Sequence, residues 1–103
     1  MKQVVLSEAA SQDLQVIIDY LLVEAGVEVA TSFLTSWDKC RDHIARFPES
    51  GSPRLANRKK LRGVRVWPIP NFPHLAIYAV MAERVEIARV LHASRDIPAR
   101  FRE

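Results

Sequence analysis

The sequence predicts an α+β domain of order β-α-α-β-β-β, a helical hairpin packed on a mostly antiparallel sheet. Three observations carry the prediction. Apolar residues recur at helical spacing from Ala10 to Phe47, broken once at Gly26. The period switches to the alternation of strands after Lys60. The three apolar runs that follow are joined by links too short for a crossover, so they form an antiparallel meander. A chain of 103 residues accommodates one compact core, so residues 1–103 are read as a single domain.

Residues Lys2 to Leu6 make a short strand whose consecutive Val4, Val5 and Leu6 suit burial on both faces. Ser7 follows as a helix N-cap, its hydroxyl able to accept from an orphaned N–H, with Glu8 placed well against the helix dipole. Ala10, Leu14, Ile17, Ile18, Leu21, Leu22 and Ala25 then form the inner stripe of a helix of about 18 residues, with Asp13, Gln15 and Asp19 on its water side. Gly26 supplies the left-handed residue that ends it. A second helix carries the stripe Ala30, Phe33, Leu34, Trp37, Cys40, Ile44 and Phe47, and Pro48 closes it. The turn around Gly26 is so short that the helices fold back on each other. Residues 48–57 are a polar loop. The strands run from Leu61 to Ile69, from His74 to Met81, and from Arg84.

A hydrophobic content of 49% with 26% charged residues describes a globular chain. No apolar run reaches the ~20 residues of a spanning helix, and the apolar start is broken at once by Ser7 and Glu8, unlike a signal peptide. A lone cysteine excludes an internal disulfide. The expectation is a cytoplasmic protein without membrane contact. The net charge of +3 is unevenly spread. Residues 1–49 hold four basic and eight acidic residues, whereas residues 50–82 hold six basic residues and no acid. Such segregation points to an anionic partner surface.

Recognised chemical motifs are missing. Gly26, Gly51 and Gly63 build no phosphate loop, and His43, His74 and His92 lack ligand spacing, so neither metal nor cofactor is expected. Cys40 lies in an apolar stripe and reads as core. Two clusters remain. The basic patch Arg54, Arg58, Lys59 and Lys60 runs into Arg62 and Arg65, which alternate to opposite faces of a strand; charges there suit an anionic partner or simply protect a sheet edge. Trp67 and Phe72 nearby suit base stacking or the core. At the end of the last strand, His92, Ser94, Arg95 and Asp96 suit acid/base or anion-binding work. The plainer reading is that Arg95 and Asp96 tie down the strand end, with His92 half-buried beside them.

An ordered set of residues carries a family resemblance over nearly the whole chain. It runs through Ala10, Asp13-Leu14, Ile17 and Tyr20, then Phe33, Phe47-Pro48, Gly51 and Arg54. It continues through Leu61-Arg62-Gly63-Val64-Arg65, Phe72-Pro73 and Ile77-Tyr78. It ends on Val85-Glu86-Ile87 and the run from Arg89 to Asp96. In these the chain resembles the RelE/ParE superfamily of bacterial type II toxins, and more closely its ParE branch, whose fold has the element order read above.

The resemblance implies a growth-inhibiting toxin, neutralised in a hetero-oligomer by a cognate antitoxin, of the ribbon-helix-helix, ParD-like kind. ParE-like toxins poison DNA gyrase by stabilising its cleaved-DNA state, whereas RelE-like toxins cut mRNA on the ribosome. RNA cleavage needs a base for the 2′-hydroxyl, cations for the phosphate and a proton for the leaving oxygen. RelE-type nucleases place an Arg shortly before the third-strand Tyr. Aligned on Ile77-Tyr78, that position falls on or near Leu75, and the aromatic nearest the C-terminus is Phe101, without a hydroxyl. A nuclease here would use His92, Arg95 and Arg65, with Lys59, Lys60 and Arg62 also available for phosphate. The resemblance therefore favours the gyrase-directed branch, with Arg62, Arg65, His92, Arg95, Arg100 and Arg102 as target-binding residues and possible nucleic-acid contact. The alternatives are a ribosome-dependent endoribonuclease and an inactive member that only binds its antitoxin.

Overall fold

The computed structural model describes residues 1–53 and 63–96. Their elements are β1 (Gln3–Leu6), α1 (Glu8–Glu24), α2 (Val27–Arg46), a 3-10 turn (Pro48–Ser50), β2 (Val64–Pro68), β3 (His74–Val80) and β4 (Arg84–His92). The order is the expected β-α-α-β-β-β. The sheet runs β1-β4-β3-β2, so the first strand pairs with the last. That pairing is parallel, and the other two are antiparallel.

Local chemistry sets the helix ends. The Ser7 hydroxyl accepts from Ala10 N at 2.9 Å and caps α1 as expected. Gly26, at φ +97°, ends α1 and starts α2: its N–H donates to the Leu21 carbonyl, and its own carbonyl accepts from Ala30. One residue thus closes one helix and opens the next.

The main core lies between the helices and one sheet face. Phe33, Trp37, Cys40 and Ile44 of α2 meet Ala76, Tyr78, Val85, Ile87 and Val90 of the sheet. Burial pushes the Cys40 thiol up to about 12, so it serves as an inert core residue. The opposite sheet face carries a second cluster of Val66, Leu75, Ile77 and Leu91.

Several expectations need correction. Leu22, Ala25, Leu34 and Phe47, assigned to the inner stripes, are exposed: Leu34 lies beside the buried line of α2, Leu22 and Ala25 at the end of α1, and Phe47 just past the end of α2. Val4, Val5 and Leu6 are only half-buried, since β1 is an edge strand. The second strand starts at Val64 within the described residues and stops at Pro68, after which the chain turns back to β3: Ile69 N–H donates to the His74 carbonyl at 3.0 Å and Phe72 N–H to the Ile69 carbonyl at 3.2 Å. Asp13, assigned to water, is drawn inward by β4.

Candidate functional site

The last strand organises the site. β1 covers β4 only from Arg84 to Ile87. Beyond it the outer edge of β4 would expose unpaired backbone, an invitation to aberrant pairing, and three side chains close it. Ser7 donates its N–H to the Ile87 carbonyl at 2.9 Å and its hydroxyl to the Ala88 carbonyl at 2.8 Å. Asp13 accepts from Val90 N at 3.0 Å, and Asp96 accepts from His92 N at 2.8 Å. Asp13 also grips the Arg89 guanidinium through Nε at 2.7 Å and Nη2 at 2.8 Å. Its side chain is 14% exposed, and the hydrogen bonds it accepts hold Arg89 more firmly protonated than usual. Sequence reasoning missed this role; the Asp13-Leu14 step of the family pattern was the only signal for it.

A β-bulge decides where His92 points. Tyr78 pairs with Ile87 and Ile77 with Arg89, leaving Ala88 as the extra residue. Val85 and Ile87 face the helices, and simple alternation would turn Val90 and His92 away from them. The bulge restores both to the helix side: Val90 joins the main core and Leu91 the opposite cluster.

His92 therefore lines a groove of about 600 Å³ between α1 and the sheet end. Val16, Ile17, Tyr20 and Leu21 form the α1 wall, and Phe72, Pro73, His74, His92, Arg95 and Asp96 form the other. Nδ1 of His92 lies 3.3 Å from the backbone N–H of both Ser94 and Arg95, with the Ser94 hydroxyl at 3.2 Å. Two N–H donors aimed at Nδ1 require a lone pair there, so the neutral ring carries its proton on Nε2. The strand end is tied down by hydrogen bonds, as the plainer reading expected, and Arg95 stays exposed.

His74 lies beneath, 8% exposed. Its ring meets Phe33 edge-on at 5.4 Å and His92 at 5.3 Å, and its Nδ1 has no partner among the described residues. Burial, with His92 and Arg95 adding to it, lowers its pKa from the ordinary 6.5 to about 4.

The other sequence candidates do not join this groove. Arg65 lies opposite Tyr78, while His92 lies opposite His74, four residues further along β3, or about 13 Å of strand. The Arg65 guanidinium donates to the Gly51 carbonyl at 2.8 Å and to Glu49 at 3.4 Å. Tyr78 secures the same turn, its hydroxyl donating to the Pro48 carbonyl at 2.8 Å and accepting from Gly51 N at 3.0 Å. A Cβ on Gly51 would collide with that hydroxyl. Leu75 points into the opposite sheet face. His92, Arg95 and Arg65 are thus not assembled into one constellation. Arg54, Arg58, Lys59, Lys60, Arg62, Arg100, Phe101 and Arg102 lie outside the described residues. Among the described residues no His/Cys/Asp/Glu group could hold a metal ion, and no helix is long and apolar enough to cross a membrane.

Comparison with known proteins bears on this architecture. No curated protein matches the chain. A solved structure titled as the chromosomal ParDE TA system from P. aeruginosa superposes with a TM-score of 0.75 at 21% identity, covering 91% of this chain and 98% of that one. At that identity the likeness shows the fold: two helices on a four-stranded sheet. The profile of the family described as ParE toxin of type II toxin-antitoxin system, parDE, matches residues 4–97. That span runs from β1 through the capped end of β4, so the chain belongs to the ParE toxin family of type II toxin–antitoxin systems.

Proposed function

We propose that this ParE-family protein inhibits growth in the cytoplasm by poisoning DNA gyrase, and that a cognate ribbon-helix-helix, ParD-like antitoxin neutralises it in a hetero-oligomer. One observation carries the preference for gyrase over RNA cleavage: among the described residues, Arg65 and His92, a cation and a base that a nuclease would use together, lie apart. Arg65 is engaged with Gly51 and Glu49 some 13 Å of strand away from His92. Nδ1 of His92 is occupied by the turn that follows it. Tyr78 spends its hydroxyl on the Pro48–Gly51 turn. What is left at the groove is a surface suited to binding, with Arg95 exposed and His92 offering Nε2–H. Arg62, Arg100 and Arg102 extend the proposed target contact.

Induction of the gene alone, without its neighbours, tests the reading. Gyrase poisoning predicts double-strand DNA breaks and an SOS response while mRNA stays intact. Rapid mRNA cleavage at phased codons would replace the proposal with the endoribonuclease reading, and undisturbed growth would leave only an antitoxin-binding role.

A further inference from the structure

The groove beside α1 has the size and lining of a small-molecule site. Its volume of about 600 Å³ falls within the roughly 300–1,000 Å³ common to such sites, which combine apolar walls with a few convergent polar groups. Rings supply much of the wall. Phe72, Phe33, His74 and His92 run edge to face, with successive centroids 5.0, 5.4 and 5.3 Å apart. Each ring fixes the next, so a ligand meets a wall already in place and little ordering is needed to bind it. Burial holds His74 neutral, and the wall therefore stacks without adding charge. Tyr20, 55% exposed, lines the α1 side of the same groove. Aromatic faces on both sides suit a flat ring system.

The polar end of the groove combines donors with an acceptor. His92 offers Nε2–H, because the turn that follows occupies Nδ1. Arg95 is exposed and forms no ion pair with a described residue. Oδ2 of Asp96 accepts from the His92 amide, and Oδ1 has no partner among the described residues. The charges of Arg95 and Asp96 offset each other, so a lone carboxylate or ammonium head gains little there. A neutral ring edge that accepts from Arg95 and His92 and donates to Asp96 satisfies all three. Guanine has that edge: O6 and N7 accept, while N1–H and N2–H donate side by side to one carboxylate. Adenine carries an acceptor at N1 and would set a lone pair against Asp96.

We propose that the groove binds a free guanine nucleotide, its base stacked between Tyr20 and the Phe72–His74 wall, O6 and N7 toward Arg95 and His92, and N1–H and N2–H on Asp96. A mononucleotide fits better than a strand. Residues 3–37 contain no Lys, Arg or His, and the exposed Asp19 and Glu24 of α1 oppose a continuing phosphate backbone. Arg95 and His92 are also the groups proposed for the target, so a bound nucleotide competes with that contact. The binding itself is independent of the gyrase and antitoxin readings.

Calorimetry on the full-length protein alone tests this, with GMP, AMP and XMP as probes. GMP binds about 10-fold tighter than AMP. Asp96→Asn reverses the preference: its amide oxygen still accepts from the His92 N–H, while Nδ2–H donates to the 2-carbonyl of xanthine, so XMP binds about 10-fold tighter than GMP. A purely structural Asp96 would give no such reversal. Tyr20→Ser weakens GMP about 10-fold through lost stacking, and Arg41→Glu, on the outer face of α2, changes it less than about 2-fold. Unchanged thermal midpoints confirm folding. Equal affinity for GMP and AMP, an unreversed preference in Asp96→Asn, or no binding at about 1 mM GMP overturns the proposal. A guanine-containing single strand that binds more than about 10-fold tighter than GMP overturns the free nucleotide in favour of nucleic acid.

Discussion

Of the two helices of the hairpin, α1 is the richer in apolar residues, yet it buries fewer of them than α2. Helix α2 buries Ala30, Phe33, Trp37, Cys40 and Ile44 against the sheet and covers its outer face with paired charges, Arg41–Asp38 and Arg46–Asp42. Helix α1 buries only Ala10 and Leu14, carries no basic residue and turns Val16, Tyr20 and Val23 outward. Ile17, Ile18 and Leu21 pack against the margin of the core, and Ser7 and Asp13 add polar ties to the β4 edge. One helix is finished for water; the other keeps an apolar surplus that the fold itself does not use. An apolar arc wider than the core requires signals a second contact.

The comparison can be broken by substitution. Phe33→Ala in α2 should cost about 3–5 kcal/mol, as large aromatic truncations in a close-packed core do, and urea unfolding would read it. A loss under about 1 kcal/mol would mean α2 is not the anchor. His74, wedged between Phe33 and the groove, reports on the same core through pH. Its folded pKa lies below the unfolded value, so the unfolded chain takes up a proton near pH 6.5 and the folded one only near 4. Its contribution is complete above about pH 6.5 and shrinks as pH falls towards 4, by about 3 kcal/mol. The stability difference between the unsubstituted protein and His74→Phe should shift by that amount across this window. A pH-independent difference would show that the ring is solvated.

Smaller effects sharpen the α1 side. Asp13→Ala should cost about 2–3 kcal/mol, because it strands the Arg89 guanidinium and the Val90 N–H in a partly buried site. Hydrogen exchange should then rise at Val90 before it rises in α2. Val23→Ser should change stability by less than about 0.5 kcal/mol. A larger loss by thermal unfolding would mean the apolar line belongs to the fold and is not free for a partner.

Much of the fold was legible because its signals are local. The capping hydroxyl of Ser7, the left-handed Gly26 and the short links between strands each act within a few residues. The candidate site was less so. His92, Arg95 and Asp96 stood out by type, and the tied-down strand end was the plainer of two readings, but the groove they share with α1 was not anticipated. Asp13 was read as solvent-facing because an acid opposite an apolar stripe belongs there by default; its partner lies 76 residues away.

By itself, then, the sequence determined the element order, the helix ends, the meander and the segregation of charge, since these follow from short-range sterics, hydrogen bonding and periodicity. Tertiary structure alone decided the parallel pairing of β1 with β4, the closing of the β4 edge by Ser7 and Asp13, and the bulge at Ala88. That last feature matters most for the site. Strand alternation has a period of two, so one extra residue reverses the side on which everything after it lies. The position of that residue depends on how β4 registers against β3, and no local pattern encodes it. His92 faces the groove because of it.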